Sequence, residues 1–316
     1  MKSILRALLD GLALVGRYGT QGFAVSIFLG LALPQFAAAA RPLLAVSIFV
    51  FVMITFARVD ASEFRHLLRR PRPLLIAAGW LIVAPPTFIA VALAIIGREQ
   101  LDPGLVLGLA VFGAAPPIMS APAVAMLLNL QPTLIMVAVL TTTTLSPLVS
   151  PLLAELIADA AVPLDLGILV KRLVLLIGGA IIAAAVMRLL AGEVRIRARK
   201  AELDGLGVVM YFLFAIAAMD GVLAAALDNP GRVIRYLAMV FAISGIGLAA
   251  GFFLLRALPP AERLVIGYST GQRNMGLLIA ALGSATPETT FLFFALAQFP
   301  IYLMPQIVKP LARRFA

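Results

Sequence analysis

The sequence contains no cysteine, one histidine and one tryptophan among 316 residues, and only 13% of its residues are charged. The lack of cysteine excludes disulfides and thiolate metal sites, and a single histidine does not favour a histidine-based metal site. The scarcity of charge excludes an ordinary soluble domain, in which about 25% of residues are charged. No HExxH motif and no pair of intramembrane aspartates occurs, and His66 lies in a basic loop, so we predict neither an enzyme nor a cofactor.

Apolar residues make up 62% of the chain, which indicates an integral membrane protein whose partner is the lipid bilayer. Apolar runs without short alternating segments predict helices rather than a β-barrel. At roughly 30 residues per helix and loop, the chain has room for about ten spans. Residues 1–18 predict an amphipathic lead-in helix on the membrane surface and not a signal peptide. The predicted spans are 19–36, 42–57, 73–96, 104–128, 132–154, 168–187, 206–227, 236–255, 264–283 and 289–308.

The net charge of +10 lies in short loops between apolar runs, so it predicts topology and not a nucleic-acid partner. With ten spans, 18 of the 25 basic residues fall on one side and 6 on the other. The positive-inside rule then places both termini in the cytoplasm of a multi-pass protein of the cell inner (plasma) membrane. The adjacent pair Lys171 and Arg172 on the minority side is the weak point of this assignment, and the one remaining basic residue, Arg273, falls inside a span.

The two halves of the chain, residues 19–157 and 166–312, each contain five predicted spans, and each has a polar, interrupted fourth helix. Because five is an odd number, the second half must enter the membrane in the opposite sense, as an inverted repeat. The first interruption carries Pro116, Pro117 and Pro122, and the second lies at Gly271. Paired interrupted helices in inverted repeats predict a binding site near the membrane midplane, where free helix ends attract ions.

The segment GYSTGQRNMGLLIAALG, residues 267–283, predicts the floor of that site. An arginine at membrane depth costs at least a few kcal/mol and needs a partner or a hydrated cavity. Two roles stay open for Arg273, a structural tether and a contact with substrate. The other predicted substrate-binding residues are Asn274, Gln272, Ser269, Ser120 and Gln298.

Asp220 is the one acidic residue well inside a predicted span. Three roles stay open for it: pairing with Arg273, carrying a proton, or lying in a wet vestibule. Trp80 is predicted either to stack on Arg273 or simply to pack, and the hydroxyls of Thr141 to Thr144 are expected to bond backbone carbonyls.

The chain resembles the bile acid:sodium symporter family. The resemblance depends on the segment from Gly113 to Leu153, on GYSTGQRNMGLL at residues 267–278 and on the five-plus-five layout. It implies a core domain of residues 73–157 and 236–312 in which the interrupted helices cross. It also implies a panel of residues 19–57 and 168–227, with substrate held between panel and core.

Several residues depart from the pattern of sodium-coupled members of that family. The side chains that hold sodium there are replaced, so the resemblance implies that the sodium site is lost. A guanidinium stands where an ion ligand is expected, and we hypothesise that Arg273 supplies covalently the charge that sodium supplies in relatives. The replacing residues are Ala121, Pro122, Ile135, Val139, Ser269, Arg273 and, in the third span, Trp80.

The sequence and the resemblance together predict a secondary active or facilitative transporter of a small organic anion that works by alternating access, as a monomer or homodimer. No sodium coupling is expected, and proton coupling stays open. Two alternatives remain, a membrane sensor or scaffold that binds ligand without transport, and a sodium-dependent symporter with displaced ligands.

Overall fold

The computed structural model describes residues 19–58, 71–159 and 164–315, with side chains from residue 25 onward. Within these ranges the chain is helical apart from its connections and one isolated β-bridge, which confirms the all-α prediction. The predicted lead-in at 1–18 and His66 lie outside the described residues. The helices are α1 (Gly19–Ala32), α2 (Pro34–Ala40), α3 (Leu44–Ala57), α4 (Pro71–Ile96), α5 (Pro103–Ala114), α6 (Ala121–Leu127), α7 (Thr133–Ala158), α8 (Leu166–Leu173), α9 (Gly179–Ala191), α10 (Glu193–Ala198), α11 (Lys200–Ala218), α12 (Val222–Asp228), α13 (Pro230–Leu254), α14 (Pro260–Gly271), α15 (Met275–Leu282) and α16 (Glu288–Ala312).

Among the described residues, seven helical stretches are long and apolar enough to cross a membrane. They coincide with seven of the ten predicted spans and confirm a transmembrane protein. The other three predicted spans fall on α1 and on two interrupted helix pairs. The total of ten spans and the inverted repeat stay predictions. The seven stretches are Pro34–Ala57, Pro71–Ile96, Thr133–Ala158, Leu166–Ala191, Lys200–Asp228, Pro230–Leu254 and Glu288–Ala312.

The predicted boundary between the first two spans is wrong. The prediction ends the first span at residue 36 and begins the second at 42, whereas the helical stretch begins at Pro34 and runs to Ala57 through a 3₁₀ turn at Arg41–Leu43. A proline in the first turn suits a helix start because its missing N–H has no partner to lose there. The alanines that follow favour continuation of the helix.

The two predicted interruptions are confirmed. Helix α5 ends at Ala114 and α6 begins at Ala121, while α14 ends at Gly271 and α15 begins at Met275. In the first interruption, Pro116 and Pro117 cannot donate backbone hydrogen bonds, which removes two of the bonds that would continue the helix.

The described residues form two compact units, one within Met1–Val59 and Leu175–Asp228, the other within Asp60–Val174 and Asn229–Ala316. In the second unit, the halves of the interrupted helices that lead into the breaks are buried. Every residue of α5 from Gly104 to Ala114 is buried, and so is every residue of α14 from Leu264 to Gly271. Helix α5 packs against α4, α7 and α16, and α14 packs against α13. Their polar backbone ends are therefore enclosed by protein rather than lipid, as the hydrocarbon region requires.

Helices α13 and α14 approach each other through a seam of four glycines, which are Gly247 and Gly251 facing Gly267 and Gly271. A Cβ built on Gly251 would lie 2.4 Å from the Cα of Gly267, and one on Gly271 would lie 2.5 Å from the carbonyl oxygen of Ser244. Small residues four apart allow such close backbone contact between membrane helices. The seam fixes the end of α14, where the chain unwinds.

In the first unit, the break between α11 and α12 is formed by residues 219–221, and Gly221 has a φ of +75°. That left-handed conformation is accessible to glycine without strain. Asp220 therefore lies in this break and not within continuous helix. Its carboxylate accepts a hydrogen bond from Nη1 of Arg41 at 2.8 Å.

Candidate functional site

The two interrupted segments of the second unit cross and pair through their backbones. Pro117 and Arg273 form an isolated antiparallel bridge. The N–H of Asn274 donates to the carbonyl of Pro116 at 2.8 Å, and the N–H of Ile118 donates to the carbonyl of Gln272 at 3.0 Å. The crossing thus satisfies backbone groups that would otherwise be left open by the helix breaks.

Arg273 is 3% exposed and lies at the centre of this crossing. Its Nη2 donates to the carbonyl of Leu81 in α4 at 2.8 Å and to the carbonyl of Ala115, which follows α5. No carboxylate pairs with Arg273 among the described residues. The guanidinium therefore contacts oxygens of the backbone alone, as a small hard cation would.

Both of these carbonyls lack a helical partner, for reasons that the sequence explains. The carbonyl of Leu81 would accept from residue 85, which is a proline without an N–H. The carbonyl of Ala115 lies beyond the last turn of α5, where the chain is no longer helical. A carbonyl carries partial negative charge at a helix C-terminus, so a cation is favoured there. Arg273 thereby stabilises two breaks at once.

The helices around the crossing are joined by further hydrogen bonds. The indole N–H of Trp80 donates to Oγ1 of Thr270 at 2.9 Å, and its ring packs edge to face on Phe88. This contact matches the packing interpretation of Trp80 rather than stacking on Arg273. The hydroxyl of Ser244 in α13 donates to the carbonyl of Gly271 at 3.1 Å, so the last carbonyl of α14 is satisfied from the glycine seam.

The other predicted substrate residues have different surroundings. Gln272 is 1% exposed, and neither its amide nitrogen nor its amide oxygen has a partner among the described residues. Asn274 is partly exposed at the start of α15, and Ser120 is partly exposed just before α6. Ser269 and Gln298 are buried and donate within their own helices, to the carbonyls of Val265 and Phe294.

Of the seven residues predicted to replace the sodium ligands, only Ser269 carries a side-chain oxygen. Ala121, Ile135 and Val139 are buried hydrocarbon side chains, and Pro122 follows Ala121 in α6. In the described part of the chain, no cluster of three or more His, Cys, Asp or Glu side chains could hold a metal ion.

Asp220 belongs to the first unit, and its carboxylate pairs with Arg41. Its side chain is 17% exposed, and that of Arg41 is 43% exposed. Of the three roles left open for Asp220, pairing is the one with a visible contact, but the partner is Arg41 and not Arg273. The expected threonine contacts are present at Thr142 and Thr144, which donate to carbonyls of their own helix. The expectation is wrong for Thr143, whose buried hydroxyl has no partner among the described residues.

Sequence reasoning missed two contributors to the site. The first is the pair Pro85 and Pro86 within α4, which have no N–H to donate to the carbonyls of Leu81 and Ile82. This pair of prolines is a signal in the sequence from which a donor on another helix could have been predicted. The second is Arg172, whose Nη1 donates to the carbonyls of Ala281 and Leu282 at 2.9 and 3.0 Å. It caps the end of α15, which explains a basic residue that departs from the charge bias.

Comparison with known proteins identifies the family of this chain. A search of curated proteins found no relative, but the family model of the Sodium Bile acid symporter family matches residues 44–225, which is more than half of the chain. The matched region contains the first interrupted segment, with Leu81 and Ala115, whereas Arg273 lies beyond it. Together with the apolar helices and their buried interruptions, this match shows that the chain belongs to the sodium bile acid symporter family.

Proposed function

We propose that this protein is a secondary active or facilitative transporter of a small organic anion, that it works by alternating access without sodium, and that Arg273 takes the place of a bound sodium ion. Membership of a family of symporters supports the general class. The anion, the absence of sodium coupling and the role of Arg273 are our proposal.

The observation that carries the proposal is the coordination of Arg273. Sodium in proteins is held by oxygen ligands, and backbone carbonyls at helix ends are suitable ones. Here the buried guanidinium donates hydrogen bonds to two such carbonyls, those of Leu81 and Ala115. A covalent cation cannot dissociate, so no ion gradient is needed to keep the crossing assembled.

For the substrate contacts we propose Asn274, Ser120 and Gln272. The first two are partly exposed beside the interrupted segments, and the amide of Gln272 has unused hydrogen-bonding capacity. A buried amide without partners costs about 1–3 kcal/mol, so a ligand that bonds it gains that energy. Ser269 and Gln298 already bond their own helices, which favours a structural role for them.

Uptake by reconstituted liposomes tests the proposal. A thermal-shift screen of the purified protein would first select carboxylates and sulfonates that bind, because a bound ligand raises the melting temperature. Uptake of the selected compounds, in labelled form, would then be compared between liposomes that contain the protein and liposomes without it. We expect saturable uptake in the protein liposomes only. Binding in the screen without uptake of the bound ligand would favour a sensor and contradict transport.

A further inference from the structure

A small cavity adjoins Arg273 in the second unit. It has a volume of about 10 Å³ and lies between α4, the end of α5 and α7. Arg273 itself lines it, together with Ile82, Thr142, Ser146 and Ser150. Most of its lining is apolar, but the guanidinium and three hydroxyl side chains belong to it, and a cavity of about this size has room for one molecule as small as water.

Arg273 lines this cavity and carries N–H donors that no group uses among the described residues. Its Nη2 bonds the carbonyls of Leu81 and Ala115, but neither Nε nor Nη1 has a partner among the described residues. The side chain is 97% shielded from solvent, as its 3% exposure shows. A buried N–H group left without an acceptor costs about 1–3 kcal/mol, and more when it is charged.

Two of the hydroxyls that line the cavity use their protons within α7 and so offer acceptors to it. Thr142 donates its hydroxyl proton to the carbonyl of Ala138 at 2.8 Å, and Ser146 donates to the carbonyl of Thr143 at 2.7 Å. The carbonyl of Thr143 needs this donor because residue 147 is a proline. Both hydroxyl oxygens keep lone pairs that can accept. Pro86 likewise has no N–H to offer the carbonyl of Ile82.

We propose that the cavity is a binding site for a single water molecule that links Arg273 to α7. An anion would bind the guanidinium but would face the lone pairs of Thr142 and Ser146. An alkali cation would suit those oxygens but would face the positive charge of Arg273. A neutral molecule that both accepts and donates satisfies the two sets of groups together. This inference concerns how the guanidinium is held, so it does not depend on whether the protein transports an anion.

A structure of the purified full chain at a resolution that shows ordered water tests this site, with crystals or grids prepared in bromide and in rubidium salts. We expect one solvent peak within hydrogen-bond distance of Nε or Nη1 of Arg273 and no bromide or rubidium there. A bromide or rubidium peak at that place would overturn the proposal, and so would a cavity without solvent density.

A matched pair of variants gives a second test. Thr142→Val and Ser269→Ala each remove a buried hydroxyl that donates to a carbonyl of its own helix at 2.8 Å, but only Thr142 lines the cavity. We expect Thr142→Val to lower the melting temperature by at least about 2 °C more than Ser269→Ala, because it also removes an acceptor of the water. Equal losses in the two variants would contradict the proposal.

Discussion

Replacing Arg273 with methionine removes the guanidinium and keeps a long, flexible apolar side chain. The carbonyls of Leu81 and Ala115 would then lie buried without a donor. Each such carbonyl costs about 1–3 kcal/mol, and the loss of a buried charge returns part of that cost. We therefore expect Arg273→Met to lower the free energy of unfolding by about 2–4 kcal/mol, measured by denaturant unfolding of the purified protein in detergent micelles.

Arg263→Met is the matched control for this variant. Arg263 lies in α14, which ends two residues before Arg273, and its guanidinium lies 5.1 Å from the ring centre of Phe252. A partly exposed cation–π contact is worth about 0.5–1 kcal/mol, so the control should lose no more than that. If both variants lost the same stability, the special role of Arg273 at the crossing would be refuted.

A double-mutant cycle separates the two carbonyls. Pro85→Ala restores the N–H that can pair with the carbonyl of Leu81 inside α4. In the Pro85→Ala background, Arg273→Met leaves only the carbonyl of Ala115 without a donor. The loss of unfolding free energy caused by Arg273→Met should therefore be smaller by about 1–3 kcal/mol. Additive effects of the two substitutions would show that the carbonyl of Leu81 does not depend on Arg273.

Three further substitutions test other parts of the structure. Gly267→Ala should lower the melting temperature by several degrees because its Cβ would meet the carbonyl of Leu248 at 2.5 Å, whereas Gly207→Ala, with no neighbour within 4 Å, should not. Arg172→Gln should cost about 1 kcal/mol of unfolding free energy through lost capping of α15, and Lys171→Gln, one residue earlier, should leave stability unchanged. Asp220→Asn should cost less than about 1 kcal/mol, and the difference should shrink in high salt because the Arg41–Asp220 pair is partly exposed. A large, salt-independent loss for Asp220→Asn, or equal effects within either matched pair, would contradict these assignments.

Composition and local chemistry were enough to predict the helical membrane fold and both interruptions. Prolines at 116 and 117 and the polar run around Gly271 disfavour a continuous apolar helix, and this signal can be read from the sequence. The signal is not decisive alone, because α4 continues through the adjacent pair Pro85 and Pro86. The start of the second span was wrong because an alanine-rich segment after Pro34 continues as helix where apolar windows alone suggest a loop.

The partners of the polar side chains could not be predicted, because they depend on which helices meet. Arg273 bonds backbone carbonyls that lie 192 and 158 residues away in sequence. The pairing of Asp220 with Arg41 likewise joins residues 179 apart. Both contacts depend on helix breaks, which leave carbonyls without partners for Arg273 and place Asp220 outside continuous helix. The glycine seam was detectable in principle from its four-residue spacing, but only the structure shows that the two glycine pairs face each other.

The most direct test of a guanidinium in the place of sodium is the sodium dependence of transport. Uptake of the substrate identified in liposomes would be measured as sodium is exchanged for potassium or choline at fixed ionic strength. Because Arg273 already bonds the carbonyls of Leu81 and Ala115, the rate should be the same in every salt. A rate that rises steeply and saturably with sodium would show that a mobile ion still drives the protein.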